Sequence, residues 1–433
     1  MINNKEKINL ITLGCSKNTV DSERLLNQLR ANNLKLEEDP NNADTIIINT
    51  CGFIEAAKKE SIDTILNAVA LKNEGKIRKV IVAGCLSERY KDELMKEIPE
   101  VDAYFGTENY EAILKELGGE LKYHLLGERL LTTPSHTAYL KISEGCDHPC
   151  SFCAIPIMRG NHKSKPIEEL LKEAEFLSKN GAKEIVIIAQ DTTDYGKDIY
   201  GQRSLTLLLR KLTSIEGIEW VRLMYAYPSH FPVDVIEEMA ANPKICKYID
   251  LPLQHISDTV LKSMRRGVTG KVTKELLTKL RERIPDITIR TTFIVGYPNE
   301  TEKDFEELCE FVKDIKFDRI GVFPFSVEEN TSSFILGDQI PDKEKQRRKD
   351  KLMEIQKEIS LEKNKSFVGK KLKVLIEGME GEYYVGRTYR DAPEVDGEIL
   401  IPLNGEKIKL GKFYSIEVFN YNEYDLFGKF TEK

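Results

Sequence analysis

The sequence has no run of eighteen apolar residues, and its start, Met1 to Lys7, lacks the apolar segment of a secretory signal. A soluble cytosolic protein with no membrane partner is the default expectation. An excess of positive charge is also missing, since 64 Lys and Arg stand against 71 Asp and Glu, a net of -7. Sequence-blind attraction to nucleic acid needs clustered cations that displace counterions from phosphates, so this class is disfavoured. No internal repeat at a fixed period occurs. Cysteine is scarce, at eight residues in 433. With no export signal these do not read as a disulfide framework, because the cytosol keeps thiols reduced, and metal ligation or catalysis is the better reading.

A chain of 433 residues, 41% hydrophobic, exceeds what one core usually organises and predicts two or three domains. The first 120 residues alternate strand and helix. Apolar runs at Ile8-Leu13, Thr45-Ile48 and Lys79-Ala83 are separated by helical stretches such as Ser22-Asn32 and Glu55-Leu71. The pattern predicts a parallel α/β domain covered on both faces. Six further strands, near Ala138-Ser143, Glu184-Gln190, Trp220-Ala226, Tyr248-Leu253, Thr288-Val295 and Arg319-Ser326, alternate with helices. They predict an open or partial (β/α)6 barrel with its chemistry at the carboxyl ends of the strands. Pro341 to about Lys365 reads as a charged surface helix joining domains. From Ser366 the short segments Lys371-Ile376, Tyr383-Tyr389, Glu398-Pro402 and Phe413-Val418 predict a small antiparallel β-barrel.

The strongest local signal is Cys146-x-x-x-Cys150-x-x-Cys153, directly after the first barrel strand. Three thiolates in one loop can hold three irons of a cubane and leave the fourth open to bind a small molecule. The bland alternatives are a structural zinc site completed by His148 or His162, or three core thiols. The spacing, the aromatic Phe152 before the last Cys and the six-unit barrel resemble the radical S-adenosylmethionine (SAM) superfamily. That resemblance implies a [4Fe-4S] cluster whose open iron chelates SAM, and a 5′-deoxyadenosyl radical that abstracts hydrogen from an unactivated carbon. It makes Phe152 a candidate SAM contact. Strand ends supply further candidates, Gln190 and Asp191 after the second barrel strand and Ile294 to Gly296 after the fifth, with ordinary strand punctuation as the alternative. Arg159 could hold a carboxylate of cofactor or substrate.

Cys15, Cys51 and Cys85 each follow an apolar strand and each has a Gly neighbour (Gly14, Gly52, Gly84). A parallel sheet puts all its strand carboxyl ends on one edge, so the three sulfurs converge at the crevice where such sheets bind ligands. A single Cys after a strand is more often a small buried hydrophobe; three equivalent placements favour ligation. Cys246 and Cys309 share no such pattern and read as inert thiols in helical surroundings.

The whole chain, in order and length, resembles the methylthiotransferases. These comprise an amino-terminal cluster domain (here 6-122), a radical SAM domain (132-363) and a terminal barrel of the TRAM type (366-433). The resemblance implies two [4Fe-4S] clusters, one SAM spent for the radical and another for the methyl group, an electron donor and a sulfur source. No acid-base pair is expected. The segments Leu13-Gly14-Cys15-Ser16-Lys17-Asn18-Thr19-Val20-Asp21-Ser22-Glu23, Asn49-Thr50-Cys51-Gly52-Phe53-Ile54, Arg387-Thr388-Tyr389-Arg390-Asp391-Ala392-Pro393-Glu394-Val395-Asp396-Gly397 and Glu423-Tyr424-Asp425-Leu426-Phe427-Gly428 look like one branch of that family. Ser16 stands where that branch would carry Pro. Its members modify an aspartate of small-subunit ribosomal protein twelve, free or within the ribosomal particle. The other branch modifies transfer-RNA adenosine, and a third reading, from another class, is a non-catalytic iron-sulfur carrier or redox-sensing RNA-binding protein. From Ser366 onward ten Lys and Arg face twelve Asp and Glu. An acidic barrel suits a basic ribosomal protein better than RNA, with Glu394, Asp396 and Asp425 as candidate substrate contacts and a solvated face as the alternative.

Overall fold

The computed structural model describes residues 6–403, 405 and 408–431. Residues 1–5 of the polar start, and residues 404, 406, 407, 432 and 433 of the expected terminal barrel, lie outside the described residues. The first unit runs β1 (Lys7–Thr12), α1 (Ser16–Ala31), β2 (Lys35–Leu36), β3 (Thr45–Thr50), α2 (Glu55–Asn73), β4 (Lys79–Gly84), α3 (Cys85–Glu97), β5 (Ala103–Tyr104) and α4 (Tyr110–Glu116). Its five strands pair in parallel in the order β2-β1-β3-β4-β5. The two central strands are apolar without alternation because helices cover both faces: Ile46, Ile48, Val80 and Val82 feed one core, Ile47 and Ile81 the other.

The second unit opens with β6 (Thr137–Lys141), β7 (Ser143–Glu144), α5 (Ile155–Arg159), β8 (Lys163–Ser164), α6 (Ile167–Lys179), β9 (Glu184–Ile188), α7 (Lys197–Tyr200) and α8 (Leu205–Thr213). It continues with β10 (Trp220–Leu223), α9 (Val233–Ala241), β11 (Ile245–Asp250), α10 (Asp258–Ser263), α11 (Gly270–Arg283), β12 (Thr288–Val295), α12 (Glu302–Ile315), β13 (Arg319–Pro324) and α13 (Asp342–Lys365). Six parallel strands in the order β6-β9-β10-β11-β12-β13 form an open barrel, and β7 and β8 make a small antiparallel pair that brackets the compact Cys loop. Leu170, Leu208, Val235, Leu280 and Leu308 pack the helices on the outer face of the strands. The long charged helix α13 does more than join domains. Leu352, Ile355 and Ile359 enter that same core, and its buried Arg348 donates to Glu300 at 2.9 Å. Cys246 lies on β11, not in helical surroundings, and its buried side chain belongs to the lumen side of the sheet with Trp220 and Tyr248.

The last unit, β14 (Lys371–Glu380), β15 (Tyr383–Arg387), β16 (Ile399–Pro402), β17 (Lys412–Tyr421) and β18 (Leu426–Phe430), closes as a barrel in the order β14-β15-β16-β18-β17. One of its seams, β16 with β18, is parallel. An incomplete barrel must fill its lumen, and here the segment between β15 and β16 does so. Ala392 packs among Tyr139, Val186, Trp220 and Tyr248 of the sheet. Arg387 donates to Glu184 at 2.6 Å, Arg222 donates to the carbonyl of Tyr389 at 2.6 Å, Arg319 donates to Asp391 at 2.8 Å, and the Tyr248 hydroxyl donates to Asp396 at 2.6 Å.

A second polar seam joins the first two units. The buried face of α1 is largely hydrophilic: Arg24 donates to Glu173 of α6 at 3.0 Å, and Arg129, in the linker, pairs with Glu23 at 2.7 Å and with Glu173 at 3.1 Å. Burial alone raises the Glu173 carboxyl, but Lys165, Arg24 and Arg129 outweigh it and hold the group at about 2, below its ordinary 4.5. The unfolded chain then binds the extra proton between those two values, so the contribution of this seam is full above about 4.5 and is lost as pH falls toward 2. Unfolding midpoints measured down through that window are expected to fall less steeply in Glu173→Gln than in the parent protein. Parallel curves would remove Glu173 from the acid response.

Candidate metal centre

The compact motif leaves β7 and re-enters the fold at α5, where the Cys146 amide donates to the Gly160 carbonyl at 3.1 Å and the Cys153 amide to the Cys150 carbonyl at 3.2 Å. All three thiols are free and half-buried. Burial pushes Cys146 and Cys153 up to about 12, with the neighbouring sulfurs adding to it. A cluster of sulfurs so withdrawn from water is a donor set for a metal, which supplies the positive charge that thiolates need. Cys150 is contacted by Arg266 at 3.3 Å and by the Tyr227 hydroxyl at 3.6 Å.

The imidazoles of the zinc alternative are engaged elsewhere. His148 stacks on Tyr227 with ring centroids 3.6 Å apart and bonds Asp191 through Nε2 at 2.6 Å, and His162 Nε2 meets Ser164 at 3.0 Å. The three thiolates therefore fit a cubane with one open iron better than a four-ligand zinc site.

Among the cofactor candidates, Phe152 and Ile294 pack in one apolar cluster with Val260, Met264, Tyr297 and Phe325, beside the Cys loop. Gln190 donates to Glu144 at 2.6 Å, and its own buried Oε1 has no protein partner, an acceptor still in want of a donor. The other three candidates already make contacts within the protein. Asp191 is spent on His148 and on the amide and hydroxyl of Thr193, at 2.7 and 2.6 Å. Arg159 holds carboxylates of the protein, Asp21 at 2.8 Å and Glu144 at 3.1 Å. Gly296, at φ +74°, is required by the close crossing of Lys345 on α13, which a Cβ would strike.

The dispersed cysteines converge at the carboxyl edge of the first sheet, Cys15 just before α1, Cys51 after β3 and Cys85 at the start of α3. Gly14 and Gly84 permit this at φ +92° and +98°, and a Cβ on Gly14 would lie 2.8 Å from that of Cys51. Burial pushes Cys85 up to about 12, and Cys15 and Cys51 are near enough to add to it. One residue missed in the sequence ties the trio together. Asn18, almost wholly buried, donates to the carbonyls of Leu13 at 2.7 Å and Thr50 at 3.0 Å, while its oxygen faces the Cys85 sulfur at 3.8 Å. Its place three residues after Cys15, in the first turn of a helix, was the available signal. Asn18→Leu is expected to lower stability by about 2 kcal/mol or more, since two buried carbonyls lose a donor. A denaturation midpoint of the metal-free protein equal to that of the parent would remove this role.

Between the trios lies a buried charge cluster. Arg159 also donates to the Asn18 oxygen, and the carboxylates of Asp21, Glu108 and Glu144 come close enough for a cation, a place taken by the fully buried ammonium of Lys141. The substrate candidates lie near one another, Asp425 reaching the backbone at 397–398 just after Glu394 and Asp396. The Asp396 side chain, 1% exposed, points into the lumen beside Arg290 and Arg319. Asp425 accepts the amide of Glu398 at 3.0 Å as part of a turn, and Glu394 is exposed.

Three family models match the chain: an uncharacterized protein family, UPF0004, over residues 7–106, the radical SAM superfamily over 140–312, and the TRAM domain over 368–430. Among solved structures, the radical S-adenosylmethionine methyltransferase TsrM from Kitasatospora setae, with cobalamin and a [4Fe-4S] cluster bound, superposes with a TM-score of 0.54. It covers 76% of this chain and 77% of its own at 13% identity, a likeness of fold alone. Curated relatives are far nearer in sequence. Ribosomal protein uS12 methylthiotransferase RimO of Flavobacterium johnsoniae is 54% identical over 428 residues, 98% of each chain. The protein of the same name from Cytophaga hutchinsonii is 51% identical over 432 residues, 99% of each. At this identity along almost the whole length of both chains, this protein belongs to the family of ribosomal protein uS12 methylthiotransferases.

Proposed function

We propose that the chain is a SAM-dependent enzyme that adds a methylthio group to the β-carbon of an aspartate in small-subunit ribosomal protein uS12. The observation that carries this reading is the pair of three-thiol sites, each beside glycine-lined or aromatic-lined space and joined by one buried seam, in a chain half identical to enzymes of that name. Two [4Fe-4S] clusters and SAM, when bound, supply a carbon-centred radical, the inserted sulfur and the methyl group.

The chain's own residues bind and position. Cys146, Cys150 and Cys153 hold the radical cluster, and Cys15, Cys51 and Cys85 the sulfur-bearing one. Tyr227 and Arg266 cover Cys150 from one side and shield it from water. Phe152 and Ile294 give the adenosine of SAM an apolar wall, and Gln190 offers it an acceptor. Glu394, which is exposed, and Asp425, which is partly exposed, offer carboxylates to a basic substrate. Hydrogen abstraction by a carbon radical requires no base at the target carbon, and none is assigned. An electron donor and a sulfur source complete the reaction.

Mass spectrometry of ribosomal proteins and transfer-RNA nucleosides from cells lacking the gene tests the reading. Loss of the methylthio mass from uS12 is expected. If uS12 kept that mass while a methylthiolated adenosine vanished, the substrate assignment would be wrong.

A further inference from the structure

The segment that follows β13, residues 325–336, touches both Cys sites through backbone groups next to their ligands. On one side, the Ser333 amide donates to the carbonyl of Ser151, between Cys150 and Cys153, at 2.7 Å. On the other, Glu328 accepts from Arg89 of α3 at 2.8 Å and from Lys58 of α2 at 3.2 Å. Arg89 in turn donates to the carbonyl of Gly52, the residue after Cys51, at 3.1 Å and to the carbonyl of Glu329 at 2.7 Å. A chain of hydrogen bonds thus runs from the peptide beside Cys51, through one guanidinium and one short loop, to the peptide inside the compact motif.

The Arg89–Glu328 pair is buried, with side chains 0% and 4% exposed. Ser326 donates to the other oxygen of Glu328 at 2.8 Å and fixes the carboxylate plane. The backbone of α3 departs from helical geometry at Tyr90 (φ -128°, ψ 29°), immediately after Arg89, so the helix that begins with Cys85 breaks where its arginine leaves for the other domain. A fork-shaped donor shared between two carbonyls and a carboxylate holds orientation as well as distance. An ordinary domain contact has no need to end on carbonyls adjoining metal ligands at both ends.

We infer that the buried Arg89–Glu328 pair is a positioning device that sets the separation and orientation of the two clusters, and so the share of SAM cleavage events that end in sulfur transfer. The inference rests on the two-cluster reading given above. It assigns these two residues no contact with substrate or cofactor.

The test uses Glu328→Gln and Arg89→Lys in the reconstituted full-length protein. Three quantities are read: iron per chain, the magnetic interaction between the reduced clusters by electron paramagnetic resonance, and methylthiolated product per 5′-deoxyadenosine formed. Iron and 5′-deoxyadenosine formation are expected to stay within about twofold of the parent, while the inter-cluster signal changes and the product ratio drops about tenfold or more, as small misplacements of reacting groups do. Glu328→Asp, which keeps the charge, is expected to recover part of the ratio. The inference is overturned if both variants keep the parent's signal and ratio, or if they lose the iron of one site, which would make the pair a folding element of that ligand loop. If the parent protein makes no methylthiolated uS12 yet the inter-cluster signal still moves in the variants, the functional reading fails and the positioning role stands.

Discussion

In anaerobically reconstituted protein, Cys153→Ala is expected to lose about half of the iron and sulfide and all formation of 5′-deoxyadenosine from SAM. Cys51→Ala is expected to lose the other half, to go on cleaving SAM, and to make no methylthiolated product. The asymmetry follows from geometry. Cys153 sits in the loop beside the apolar wall of Phe152 and Ile294, where a small molecule can reach an open iron. Cys51 belongs to the edge of the other sheet, across the buried cluster of Lys141, Asp21, Glu144 and Arg159. Cys246→Ala and Cys309→Ala are the controls. Both thiols are buried away from either trio, one among lumen residues and one in the packing of α12, and both variants are expected to keep the full iron content. Equal iron in all four variants would remove the two-trio assignment.

The second large effect concerns stability. Arg387→Leu is expected to cost about 3 kcal/mol or more, because removing one partner of a buried ion pair leaves an uncompensated charge. Arg387 bridges Glu184 and Glu377, each at 2.6 Å, and Glu184 is fully buried at the base of β9. Arg222, the other cationic partner of Glu184, is committed as well to the carbonyls of Tyr389 and Thr388. The loss is read as a shift of the denaturant midpoint in the metal-free protein. Pairing the change with Glu184→Leu is expected to cost clearly less than the sum of the two single changes, since the charges are removed together. Additive losses would mean that the two side chains do not share one interaction.

The cysteine sites were legible in the sequence because ligation needs particular residue types at particular places, and a strand followed by Gly and Cys fixes both. Three such placements locate the trio at one sheet edge without any knowledge of side-chain contacts. The supporting residues were far less legible. The helical stretch expected over Ser22–Asn32 begins earlier, at Ser16, and the Asn18, Asp21, Glu23 and Arg24 of α1 are buried against another domain. Hydrophobic periodicity carries no record of a helix whose buried face is hydrophilic. Asp396 shows the same limit, since an aspartate in a turn-rich segment of a small barrel is usually solvated, and this one is buried beside Arg290 of β12 and Arg319 of β13. Cys246 was misplaced because β11 begins at Ile245, earlier than the apolar run from Tyr248 announces. For Arg159, position in sequence shows that an arginine follows the motif, not that Asp21 lies within its reach.

The insertion of residues 388–396 between the six parallel strands also has a consequence for biosynthesis. Translation delivers the central strands first, and their inward arginines and aromatic rings stay without counterparts until the final stretch of polypeptide has emerged. Exit from the ribosome thus precedes completion of the interior, and the nascent intermediate exposes surface that invites chaperone capture. A chain ending shortly after residue 365 is expected to leave Glu184 without Arg387 and Arg319 without Asp391.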